Sequence, residues 1–264
     1  MLFLISFFSR NMFRSRRVVL TATLGLVPVL LAAMLLLMPY LTGVDIDPSG
    51  LFIQMGQLMY LYILLPLVAA LIGSGVVADE VEDRTLPYII TRPVPKWRFI
   101  LSKVISAFLV TAMILIVSLC MTYGVLNGLS GNLLTGSILL LRVALVLLLG
   151  SLAYVSLFGL LGAAARRPVL YGLVFAFGWE KIVAHLPMRI KYLTIVKYLN
   201  DLYPYHAGGR SGIEGMLDDT VRQLLHGQSG SMALSTLSLL LIALCCTGLI
   251  TLLLYIKEYR LEQD

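Results

Sequence analysis

Long apolar runs separated by short polar stretches set the pattern of this chain. A helix needs about 20 apolar residues to cross roughly 30 Å of hydrocarbon. Six stretches reach that length, at residues 18–41, 51–78, 99–126, 138–165, 168–187 and 232–256. The pattern predicts an all-α membrane protein: one transmembrane domain over 1–264 with six transmembrane helices. The fifth span is the least regular, because its apolar character is unbroken only to Trp179, and Glu180, Lys181 and His185 follow. Pro28 and Pro66 fall inside the first two spans and predict kinks there.

The polar stretches carry their own patterns. In residues 1–17, Phe3, Phe7, Phe8, Met12 and Phe13 interleave with Arg10, Arg14, Arg16 and Arg17, which predicts a helix lying in the membrane surface. Those arginines follow the first apolar residues rather than precede them, so no cleavable signal peptide is predicted. The segment 188–231 holds Ile190, Leu193, Ile195, Val196 and Leu199 among Lys191, Lys197 and Asp201, an amphipathic helix expected at the outer interface. Tyr198, Tyr203, Tyr205 and His206 add the aromatic character of headgroup depth. A turn at 208–212 and a second short helix over 213–225 complete that segment. Gly124 and Gly128 have the spacing of a close helix contact.

Composition and charge orient the bundle. Hydrophobic residues make up 59% of the chain and charged ones 13%, about half the charged share of a soluble domain. The formal charge of +6 does not point to nucleic acid, because the basic residues flank apolar spans and set topology. With the N-terminus inside, thirteen of the twenty lysines and arginines fall on the inner side. The short outer loops near 42–50 and 127–137 have none, and Arg142 snorkels at an outer end. Both termini are expected in the cytoplasm. Cys120, Cys245 and Cys246 lie in apolar runs and read as small packing residues.

Enzymatic motifs are absent. The dipeptide Gly-Lys does not occur, so no phosphate-cradling loop of the Gly-x-x-x-x-Gly-Lys-Ser/Thr type is present. There is no His-Glu-x-x-His helix, Gly-x-Ser-x-Gly elbow or Cys-x-x-Cys pair, and His185, His206 and His226 are widely spaced. No metal site or catalytic residue is expected. Ionisable residues inside a span are functional candidates by default. Glu180 lies about 18 Å up the fifth span from Pro168, either past the midplane or at the start of a wet outer vestibule. With Gln54 and Gln57, near an outer end of span two, it is a candidate for a translocation pathway. Lys103, one turn into span three, is expected to snorkel to inner headgroups.

The densest charge lies between spans two and three, in the cytosolic loop 79–98. Asp79, Glu80, Glu82 and Asp83 precede Arg84, Thr85 and Leu86, and Arg92, Pro93, Val94, Pro95 and Lys96 follow. As residue types alone these read equally as a solvated loop or as a docking surface. With Ile100, Leu101 and Lys103 at the start of the next helix, the pattern resembles the permease (transmembrane) subunits of type-2 ABC transporters. Arg84 departs from it, standing where such permeases usually have glycine. The six-span layout, inner termini and long last outer loop are similar as well, so the resemblance covers the whole chain.

That resemblance implies a mechanical role. A separate cytosolic ATPase, in two copies, would carry ATP and Mg, leaving no cofactor in this chain. A coupling helix at about 79–90 would meet it: the carboxylates facing basic residues, Leu86 and Tyr88 filling its groove, and Arg166 and Arg167 giving a second, smaller contact. A second permease copy or a paralogue would complete the translocation route, in the direction of export. A multi-pass protein of a bacterial-type cytoplasmic (inner) membrane follows, with membrane lipid around it. The rival reading is a non-transporting membrane anchor or assembly subunit for a cytosolic partner. The substrate is not readable from the sequence.

Overall fold

The computed structural model describes residues 2–13, 15–42, 48–82, 96–128, 137–165, 167–180, 183, 194–203 and 232–261. Every element among them is helical. In chain order these are α1 (Leu2–Phe13), α2 (Arg16–Thr42), α3 (residues 48–82), α4 (Lys96–Gly128), α5 (Ser137–Ala164), α6 (Pro168–Trp179), α7 (Ile195–Leu202) and α8 (Met232–Leu261). Five are long and apolar enough to cross a membrane: α2, α3, α4, α5 and α8. The helix at the predicted fifth span, α6, is apolar but shorter. The expected sixth crossing is therefore not a single long helix among the described residues.

Burial decides which helices form the centre. The most apolar stretch of α3 is 78% buried, against 28% for α2 and 22% for α8. Helix α5 packs against α3, α4, α6, α7 and α8. Small residues interrupt its inward face, with Gly150, Ser151, Ala153, Ser156, Gly159, Gly162 and Ala163 buried beside Tyr154 and Phe158. Small residues let backbones approach, and packing then replaces the hydrophobic force that lipid cannot supply. A Cβ at Gly162 would run into the backbone of Ser74, and one at Gly73 would lie 3.1 Å from the Val155 carbonyl oxygen. By contrast a Cβ at Gly124 or Gly128 would meet nothing within 4 Å. The predicted glycine contact is not made among the described residues; the seam lies between α3 and α5.

Helix α3 is not uniform. It turns π-helical over Gly56–Leu64, where the Leu65 amide donates to the Tyr60 carbonyl five residues back. Pro66 follows at once. A proline ring clashes with the carbonyl four residues earlier in an α-helix, and the wider π turn relieves that clash. A second π stretch, Phe175–Trp179, ends α6, and there the Glu180 amide donates to the Phe175 carbonyl.

Helix α7 falls within the segment expected to be amphipathic. Thr194, Ile195, Val196, Leu199 and Tyr203 are buried, and no residue from 194 to 203 is exposed. Lys197 and Asp201, one turn apart, pair at 3.9 Å with only 17% of each side chain accessible. The helix lies against α3, α5 and α8.

Candidate functional site

The charged loop was the leading site candidate, and the structure describes its root. Helix α3 carries Asp79, with Glu80 and Glu82 on its last turn. Asp83, Arg84, Thr85, Leu86 and Tyr88, with the rest of 83–95, lie outside the described residues, as does Arg166. The Arg17 guanidinium donates to the Asp79 carboxylate at 2.6 Å, tying the start of α2 to the end of α3. Arg17 also lines a cleft of about 420 Å³ with Ser74, Ala78, Arg167, Pro168 and Leu173. Arg167, exposed at the start of α6, is thus brought to the same end of the bundle as the Asp79 ion pair.

Lys103 does not snorkel. It is 5% exposed, and its ammonium donates to the Val76 carbonyl at 3.2 Å. The charge lies 5.6 Å from the Phe8 ring centroid and 5.4 Å from that of Phe99. Those two rings meet edge to face at 5.5 Å. A cation between aromatic faces replaces headgroup contact with ring and carbonyl contact. Lys103 and Arg17 together join α1, α2 and α4 to the last turns of α3. Neither contact has a sequence signal, since periodicity places residues on faces without pairing the faces.

Deeper in the bundle, Glu180 is 1% exposed. It does not face a wet vestibule. One carboxylate oxygen accepts the Tyr154 hydroxyl of α5, and the other accepts the Ile195 amide of α7 at 3.2 Å. Gln57 is half-buried and donates to the Tyr62 hydroxyl at 3.4 Å, which donates to Asn200 of α7 at 3.0 Å. Gln54 is exposed on the same helix. Two of the three polar candidates thus reach α7 from different sides, Glu180 directly and Gln57 through Tyr62. Cys246 is buried as expected of a packing residue, while Cys120 and Cys245 face outward.

These observations define a polytopic, all-helical membrane protein whose charged end is braced by Arg17–Asp79 and Lys103–Val76. The profile of the ABC-2 family transporter proteins matches residues 8–261, and the chain belongs to that family. Membership makes it the membrane subunit of a transporter and implies partnership with an ABC ATPase. No individually curated protein matches the chain significantly.

Proposed function

We propose that this chain is the permease half of an ATP-driven exporter, working as a dimer or with a paralogue, with two ATPase subunits docked on loop 79–98. The carrying observation is the bracing of α3 at its charged end. Arg17 holds Asp79, Lys103 holds Val76, and Gly162 admits Ser74. A push delivered beyond Glu82 would therefore enter a fixed lever, and the same helix reaches α7 at its middle and near its start. ATP and Mg belong to the partner, consistent with the missing phosphate loop. On this reading the charged end faces the cytoplasm of a bacterial-type inner membrane, and both termini lie there.

Co-purification tests it. With the partner ATPase co-expressed, Glu82→Ala and Leu86→Asp are expected to abolish complex formation while the permease stays membrane-inserted. Complexes that survive both changes would overturn the docking assignment. In reconstituted wild-type complex, ATP hydrolysis that drives no solute movement for any substrate class would support a non-transporting anchor instead.

A further inference from the structure

Helices α2 and α6 both pack on α3 and make little contact with each other. The cleft of about 420 Å³ occupies the gap between their starting ends, and its size is that of a small-ligand pocket. Buried Ser74 and Ala78 of α3 form its floor, and Arg17 and Arg167 stand on its two walls. A Cβ at Gly75 would lie 2.6 Å from an Arg17 guanidinium nitrogen and 2.8 Å from an Asp79 carboxylate oxygen. Glycine there lets the ion pair lie against α3, which holds the Arg17 fork at the cleft.

Charge and apolar surface meet in this gap. Asp79 takes one nitrogen of Arg17, whose fork has further N–H donors. Arg167 is exposed and has no ion-pair partner among the described residues. Two arginines against one aspartate leave a single positive charge over, which a phosphodiester balances. Leu170 and Leu173 line the cleft. Leu170 is exposed, as are Val19 and Leu20 just past Arg17. On both walls, charge gives way to exposed apolar surface within one helical turn, as a headgroup gives way to acyl chain.

We propose that this cleft binds one anionic phospholipid, with Arg17 and Arg167 taking the phosphate oxygens and Leu170 and Leu173 the upper acyl chain. Basic pockets between membrane helices hold acidic headgroups, and guanidinium forks match phosphate geometry. A soluble phosphate would engage the arginines and leave the apolar wall unused. The bound lipid joins α2 to α6, which the described residues leave apart. The inference rests on the membrane-spanning reading and not on the ATPase partnership, and it holds for either leaflet.

Native mass spectrometry of the full chain, delipidated in detergent and titrated with one lipid at a time, tests the site. The first phosphatidylglycerol is expected to bind about tenfold tighter than phosphatidylcholine, and millimolar inorganic phosphate should not displace it. Arg167→Gln should weaken that binding about tenfold. Arg10→Gln, which removes an exposed arginine of α1, should leave it unchanged. Equal affinity for the two lipids, or unchanged binding in Arg167→Gln, overturns the site. An Arg10→Gln loss equal to that of Arg167→Gln overturns it in favour of diffuse surface charge, and displacement by inorganic phosphate in favour of an ion site. Should Arg167→Gln fail to purify, phosphatidylglycerol with a diazirine in its upper acyl chain decides on the wild-type chain. Adducts concentrated on 168–174 support the cleft; adducts spread evenly over the exposed faces of α2, α4 and α8 overturn it.

Discussion

Tyr60 is fully buried at the middle of α3, and its hydroxyl lies 2.8 Å from Ser118 and 2.7 Å from Thr122 of α4. Ser118 in turn donates to the Gly25 carbonyl of α2, so one phenol links three helices. Hydrogen bonds between membrane helices average about 0.6 kcal/mol, up to about 1.7. Tyr60→Phe keeps the ring and is expected to lower stability by about 1 kcal/mol in denaturant titration of the purified protein. Tyr60→Ala, which also empties the site, should cost about 3–5 kcal/mol. Equal losses would mean that the hydroxyl network carries most of the energy. The Arg17–Asp79 pair is different, being 39% and 45% accessible, and a double-mutant cycle should return a coupling below about 1 kcal/mol that falls with salt. At this scale the sequence was informative about Glu180 but silent on its partners. An ionisable residue in an apolar run is conspicuous by itself. Tyr154, 26 positions away, becomes its partner only through packing. Lys103 misled for a related reason: a lysine near a span end ordinarily reaches headgroups, and nothing local reveals that α1 would cover it.

Helices were legible where length and hydropathy suffice. The five long spans and the surface-type pattern of α1 follow from runs of apolar residues, because a crossing helix must be apolar over its whole length. Helix α7 was read with the right period but without its partners. Its apolar face is real, but its polar residues are paired inside the bundle rather than wet: Lys197 with Asp201, and Asn200 with Tyr62. Glycine spacing was a weak guide: Gly124 and Gly128 meet nothing within 4 Å among the described residues. The seam that matters uses glycines far apart in sequence, Gly73 and Gly162. Gly162→Ala forces a methyl against the Ser74 backbone, which cannot swing aside, and is expected to destabilise the protein by about 1–3 kcal/mol. Gly124→Ala meets no neighbour among the described residues and replaces a poor helix former, so it should hold or raise stability by up to about 1 kcal/mol. Thermal unfolding followed by size-exclusion chromatography ranks the two. A Gly124 variant as unstable as the Gly162 one would contradict the packing assigned to α3 and α5.

For the whole molecule, orientation decides what every other feature means. Arg17, Asp79 and Arg167 gather at one end, and the positive-inside bias of the short loops argues that this end is cytoplasmic. If the chain crosses once more between Arg167 and Tyr203, the chain after Tyr203 emerges opposite, and α8 returns it. A continuous short hairpin at 168–203 without a crossing would instead leave 204–231 at the charged end and α8 running outward. The two layouts predict opposite sides for one position. In a background with Cys120, Cys245 and Cys246 replaced by serine or alanine, Ser211→Cys should react with a membrane-impermeant maleimide in intact cells. Val94→Cys, in the charged loop, should react only after permeabilisation. Labelling of Ser211→Cys confined to permeabilised cells would remove the fifth crossing and place the C-terminus outside. Labelling of Val94→Cys from outside would invert the whole bundle and separate loop 79–98 from any cytosolic ATPase. The charge bias is strong in the loops near 42–50 and 127–137, which hold no lysine or arginine. It is weak in 181–231, which holds six, so the position that discriminates best is the one where charge alone decides least.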